Sequence, residues 1–270
     1  MISPIIGTYG HGTLNDFVLI FDPDDQLSIT TAQTAAICSR TSGIGADGLI
    51  RITKREGKWF MDYRNADGSI AEMCGNGIRV MARYLVERGH QAEGIFAINT
   101  RDGIKHLRVP LSDDISVNMG KVSDEYEEVT ASVEGKIWNG YNINVGNPHA
   151  VVFVEKIEDV GSLSEEPVVR PKESYPEGVN VEFVEIMPGH EAKMRVHERG
   201  SGETKSCGTG TCAVALAATL HLKEQLPARW VIYPPGGRLV VDLDPHSNAT
   251  LTGPALLISD HDLTSYLQDA

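Results

Sequence analysis

Residues 73–88 read MCGNGIRVMARYLVER. A cysteine is followed by Gly-Asn-Gly and then by an apolar segment with helical rhythm. A cysteine kept only for packing needs no glycines beside it, and both glycines fit poorly in a helix interior. At a helix start the combination has a use. The first turn exposes free backbone N–H groups and roughly half a positive charge, so anions bind there. Glycine lets the backbone come close to the anion, and the same field favours thiolate over thiol. Cys74 with Gly75 and Asn76 therefore reads as a reactive sulfur beside a carboxylate cradle. A competing signal is Ser69-x-x-Glu72, a capping box that would start the helix earlier and bury Cys74 inside it.

The pattern returns at residues 206–222, SCGTGTCAVALAATLHL, with Cys207 placed 133 residues after Cys74 in a chain of 270. Thr209–Leu222 carries no Asp, Glu, Lys or Arg, and a helix apolar nearly all round is buried on most sides. Short β-rich runs dominate elsewhere: Asp16–Phe21, Gly48–Thr53, Trp59–Tyr63, Leu107–Val109, Ala150–Val154, Val181–Val184, Lys193–Val196, Trp230–Tyr233 and Arg238–Val241. Turn signals fall at Asp67-Gly68, Asn139-Gly140 and Pro234–Gly237. Ser123–Val129 and Ser162–Pro176 read as exposed loops or edges. A curved sheet is the natural shelter for each buried helix. The expected fold is α+β, with two pseudo-symmetric halves, each a curved mixed β-sheet or barrel wrapped around a central buried helix. The expected halves are 1–115, completed by 255–270, and 116–254.

Composition narrows the function. The chain is 41% hydrophobic and 23% charged, ordinary for a globular protein with a real core. A net charge of −13 argues against nucleic acid or an anionic membrane as partner. The N-terminal MISPIIGTYGHGTLNDF lacks a basic region and a continuous apolar core, and no run approaches ~18 apolar residues, so a cytoplasmic protein is expected. Cys38, Cys74, Cys207 and Cys212 form no CxxC pair and no zinc spacing. Cys38 and Cys212 read as small buried hydrophobes. No metal site is evident, and Asp242, Asp244 and His246 in VDLDPHSN mark a hairpin end. No lysine stands in a convincing Schiff-base context, so no cofactor is expected.

Two cysteines at two helix starts suggest a reaction. If the halves face each other, a thiolate on one side of a carbon can remove a proton while a thiol on the other side returns one, inverting the stereocentre. The helix starts would hold a carboxylate on that carbon and stabilise the carbanion as it forms.

At this point the sequence resembles the diaminopimelate epimerases, cofactor-independent racemases that interconvert LL- and meso-diaminopimelate. The matching segments are GHGTLNDFV (10–18), GIGADG (43–48), NADGSIAEMCGNGIR (65–79), VGNPHAVVF (145–153), GVNVEFV (178–184), HERGSGETKSCGTGTCA (197–213) and PPGG (234–237). The resemblance implies that Cys74 and Cys207 are the catalytic thiols and that His149 and Glu198 assist proton transfer. It assigns Gly75-Asn76 and Gly208-Thr209 to the reacting carboxylate. Asn15, Asn65, Asn147, Asn180, Glu198 and Arg199 are implied around the substrate, mainly at the distal amino-acid end. Asparagine can serve both an ammonium and a carboxylate, and arginine can grip a carboxylate with two parallel bonds. Taken singly, each asparagine is a turn or cap residue, Arg199 and Glu198 are surface charges, and His149 is structural; only the combination raises them. Some family members carry a glutamine where this chain has Gly48. The resemblance also implies a homodimer and a place in lysine and peptidoglycan-precursor biosynthesis. The rivals are a proline racemase or hydroxyproline epimerase with the same two thiols, a dithiol redox protein that pairs them, and a non-enzymatic amino-acid-binding module.

Overall fold

The computed structural model describes residues 4–267. The chain divides into two compact units. One holds the described residues up to Val117 and from Pro254 onward; the other spans Asn118–Gly253. Residues 1–3 and 268–270, which the expected first half includes, lie outside the described residues.

The first unit is built on Asn15–Phe21, whose run DFVLI is buried throughout. A strand covered on both faces needs no alternation, hence the continuous apolar run. It pairs antiparallel with Ile6–Gly12 and parallel with Gly48–Arg55. Gly48–Arg55 continues antiparallel into Lys58–Asn65. On the other side, Ile6–Gly12 pairs with Leu256–Asp262 from the end of the chain. Gly94–Thr100 and Gly103–Val109 form a further antiparallel pair. The helix Gly75–Glu87 is enclosed: every residue from Gly75 to Val86 is buried. Its two arginines, Arg79 and Arg83, spaced four apart and so on one stripe of the helix, are buried as well. Arg83 donates to the carbonyls of Pro110, Leu111 and Asp113, which satisfies a guanidinium that burial would otherwise penalise.

The second unit repeats the plan. Pro148–Phe153 pairs parallel with Asn180–Met187, which turns antiparallel into Glu191–Glu198. Lys136–Asn144 and Ser123–Val133 extend one side. Ala228–Tyr233, Leu239–Leu243 and Asn248–Gly253 extend the other. The helix Gly208–His221 lies inside, with Trp230 wholly buried nearby and donating its indole N–H to Thr219 Oγ1 at 2.9 Å.

Register makes the two units comparable position by position. Phe17 pairs with Gly48, and Gly48 with Asn65. His149 pairs with Asn180, and continuing the Val181–His197 register places Asn180 opposite Glu198. Phe17 thus corresponds to His149, Gly48 to Asn180, Ile50 to Glu182 and Asn65 to Glu198. Asn65 and Glu198 each stand nine residues before the cysteine of their own unit.

Three local expectations need correction. Ser123–Val133 is a strand, because Val129, Ala131 and Val133 bury one face while its first residues stay largely exposed. Within Ser162–Pro176 a short strand, Val168–Arg170, pairs with it. Asn139-Gly140 is no turn but lies inside Lys136–Asn144. A Cβ on Gly140 would fall 1.9 Å from the Val151 carbonyl oxygen, so this glycine serves a close approach of two backbones.

Candidate active site

Each helix begins at its cysteine. Cys74 is the N-cap of its helix at φ −133°, ψ 120°, and its Sγ accepts the Gly77 N–H at 3.4 Å. Cys207 caps its own helix at φ −121°, ψ 119° and accepts the Gly210 N–H at the same 3.4 Å. The alternative capping box at Ser69 and Glu72 is not where the helix Gly75–Glu87 starts. Extended backbone at the cap, followed by glycines that admit close packing, turns the chain into the helix in both units.

In the first unit Asn15 connects the thiol to an ionic group. Its Oδ1 lies 3.5 Å from Cys74 Sγ and accepts from Asn76 Nδ2 at 3.1 Å. Its Nδ2 donates to Asp47 Oδ2 at 2.7 Å. Arg40 holds Asp47 at 2.6 Å and grips Asp16 with two bonds of 2.7 and 2.8 Å. Burial alone would raise the Asp16 carboxyl, but bonds from Arg40, Tyr9 and the Asp47 N–H hold it below the usual carboxylate range. Arg79, wholly buried, donates to Asn76 Oδ1 and to the Gly75 carbonyl. Asn65 is exposed and donates to Ser69 Oγ at 2.9 Å. Gly48 is a packing glycine: a Cβ there would lie 2.6 Å from the Arg64 carbonyl oxygen and from the Tyr63 ring.

In the second unit the thiol meets acids. Cys207 is 5% exposed and lies 3.5 Å from Thr209 Oγ1. The Glu198 carboxyl hydrogen-bonds to Cys207 and accepts from Thr204. Asn147 Nδ2 donates to Thr209 Oγ1 at 3.4 Å, and Asn147 Oδ1 is 3.0 Å from His149 Nε2. His149 Nδ1 is 2.7 Å from Glu182 Oε1. Asn180 bonds backbone on two sides, accepting from the Arg199 N–H at 2.9 Å and donating to the Pro148 carbonyl, with one N–H and one lone pair of its carboxamide left over. Arg199 is exposed, and its Nη1 donates to the Glu177 carbonyl.

The electrostatics of Cys207 run against the sequence-based expectation. Burial raises its thiol well above the ordinary range, and the Glu198 and Glu182 charges push the same way; the Thr209 hydroxyl and Gly210 N–H oppose them and lose. Burial likewise raises Glu198, against the bonds from Thr204 and Cys207. The shift at Cys207 favours its neutral thiol form. Cys38 and Cys212 are buried, outside any disulfide among the described residues, and burial pushes the Cys38 thiol up to about 12.

The residues proposed from sequence thus gather within each unit. Cys74, Gly75, Asn76 and Asn15 form one group. Cys207, Gly208, Thr209, Asn147, His149 and Glu198 form another, with Asn180 and Arg199 bonded to each other at its strand ends. Sequence reading missed Arg40, Asp47, Arg79, Thr204 and Glu182. The one available signal was an acid inside the buried run Asn180–Val184. Each group offers a sulfur, first-turn N–H donors and a carboxamide, a set suited to holding a carboxylate and moving a proton next to it.

Comparison with known proteins agrees with this chemistry. The family model for diaminopimelate epimerase matches residues 7–124 and 141–258. The chain is 44% identical to the diaminopimelate epimerase of Streptomyces coelicolor, over 95% of this chain and 94% of that one. It is 41% identical to that of Thermobifida fusca, over 94% and 96%. Among solved structures, a PhzF-family phenazine biosynthesis protein of Bacillus anthracis superposes with a TM-score of 0.76 at 15% identity, covering 97% of this chain and 99% of that one. A hydroxyproline epimerase of Agrobacterium vitis gives 0.70 at 14% identity, covering 95% and 91%. At such identities these two share the fold alone.

Proposed function

The chain belongs to the diaminopimelate epimerase family and is an isomerase, and from that premise we propose that Cys74 and Cys207 are its two acid–base groups, converting LL- to meso-diaminopimelate without a cofactor. The observation that carries this reading is the repeated cap: two cysteines, each at the N-terminus of a buried helix, each accepting the N–H three residues on.

Inversion at a carbon needs a base on one face and an acid on the other. In one direction the Cys74 thiolate takes the α-proton and the Cys207 thiol delivers its own; the electron pair left on carbon becomes the new C–H bond. The charge then rests on Cys207, and the reverse reaction begins from that state. The burial and acidic neighbours that favour the protonated sulfur of Cys207 support its acid role in the first half. The N–H groups of Gly75-Asn76 and Gly208-Thr209 hold the substrate carboxylate and stabilise the developing carbanion. A turnover of ~1–10³ per second asks for a barrier of roughly 13–17 kcal/mol, far more help than a thiolate alone provides. His149 and Glu198 assist proton movement at Cys207. Asn65 and Arg199, whose side chains are exposed, hold the distal amino acid together with Asn15, Asn147 and Asn180. A cytoplasmic homodimer is the reading taken from the family.

The test is incubation of reduced protein with LL-diaminopimelate in D₂O, following α-deuterium and the meso isomer. Label and product should appear together and vanish in both Cys74→Ala and Cys207→Ala. Exchange with L-proline or hydroxyproline, and none with diaminopimelate, would move the substrate assignment to the sister racemases.

A further inference from the structure

Comparing the units at equivalent positions isolates a buried pair. In the first unit Phe17 and Ile50 pack beneath Gly77, where a Cβ would lie 3.3 Å from Phe17 Cε1 and 3.0 Å from Ile50 Cδ1. The corresponding residues of the second unit are His149 and Glu182. A Cβ on Gly210 would lie 2.5 Å from Glu182 Oε1. An apolar pair under one helix start has been exchanged for an ionisable pair under the other. Both members are fully buried. Glu182 Oε2 has no hydrogen-bond partner among the described residues. Burying such a pair is a poor route to stability, which turns attention to what it does.

The bonds run in one direction. Glu182 Oε1 faces His149 Nδ1 at 2.7 Å, and His149 Nε2 faces Asn147 Oδ1 at 3.0 Å. Both ring nitrogens lie against oxygens, so both are asked to donate. Asn147 then donates to Thr209 Oγ1, and the Thr209 hydroxyl is left to donate to Cys207 Sγ, 3.5 Å away. We propose that Glu182 is a positioning residue of the epimerisation: by holding His149 with both ring nitrogens donating, it aligns every hydrogen from His149 to Thr209 toward Cys207 and stabilises that sulfur as a thiolate once its proton has been delivered. No bond beyond the S–H is broken, and the electron pair stays on sulfur. The proposal rests on the acid–base role given above to Cys207. Burial and the neighbouring acids disfavour that thiolate, and the donor chain supplies the opposing contribution. Among the described residues, Glu198 also interacts with both Glu182 and His149 through its charge, and Tyr175 with Glu182; Glu127 in turn acts on Tyr175.

The test is steady-state kinetics of Glu182→Gln, His149→Gln and the double variant, with Cys207→Ala as control and thermal melts to confirm folding. Glu182→Gln should lower kcat about tenfold or more with little change in KM. In the His149→Gln background the Glu182 change should add nothing, because Glu182 acts through the imidazole. Should Glu182→Gln fold poorly, Glu182→Asp carries the test: it keeps the carboxylate and should lose less in kcat. A kcat within about twofold of the unchanged protein, a loss confined to KM, or additive losses in the double variant would overturn the proposal while leaving the two-thiol reading standing. Full activity in Cys207→Ala would overturn both.

Discussion

Cys207 forgoes most of the advantage of its helix N-terminus. Half a charge spread over first-turn N–H groups is worth at most ~2 kcal/mol even in partly buried geometry, while burial and two nearby carboxylates all favour the neutral sulfur. Position in the helix alone therefore misjudges this residue. Iodoacetamide should modify Cys207 slowly at pH 8 in the folded, substrate-free protein, and the rate should go on rising well above pH 9. In the unfolded chain the rate should level off in the ordinary thiol range. Peptide mass spectrometry across a pH series measures this; a plateau near neutral pH in the folded protein would show that the helix end dominates. Residue roles of this kind were only half legible in sequence. The Cys-Gly-x-Gly signal names both sulfurs, but the acids that set the state of Cys207 come from strands whose register the sequence does not display.

Among the elements, the two central helices were legible because each opens with an unusual cap, the second running on into a segment with no Asp, Glu, Lys or Arg and the first into an apolar segment broken only by a stripe of arginines. The long buried strands were legible as continuous apolar runs, as at Phe17–Ile20. The strands overlooked were Ile6–Gly12, Gly94–Thr100, Ile115–Lys121, Ser123–Val133, Lys136–Asn144, Val168–Arg170, Gly202–Thr204, Asn248–Gly253 and Leu256–Asp262. Several are polar or bury one face weakly; Leu256–Asp262 is almost entirely outside the core. Such strands are specified by their partners rather than by their own composition. Gly140 shows the same limit, since a turn signal in sequence proved to be a point of backbone contact. Gly140→Ala should therefore cost about 3 kcal/mol or more, above the usual range for an added methyl in a packed core, because the obstructing atom is a ladder carbonyl that cannot step aside. Urea unfolding measures this, and a loss below about 1 kcal/mol would show that the strands can separate freely there.

At the scale of the molecule, the first unit is discontinuous. Leu256–Asp262 pairs with Ile6–Gly12, the Leu263 N–H donates to the Ile5 carbonyl, and Leu263 is fully buried against Val18, Ile37 and Leu49. Leu263→Ala should cost about 2–5 kcal/mol. Hydrogen exchange should localise the loss to peptides of the first unit, Asn15–Phe21 among them, though these stand more than 200 residues away in sequence. Loss of protection spread equally over Asn118–Gly253 would contradict this division of the core. The arrangement also has a consequence for synthesis. Domains generally fold in order of emergence from the ribosome, but here the later unit is one continuous stretch and the earlier one waits for its closing strand. The Cys207 unit is complete once Gly253 has emerged, whereas the sulfur translated first receives its finished surroundings only when the residues from Pro254 onward have followed.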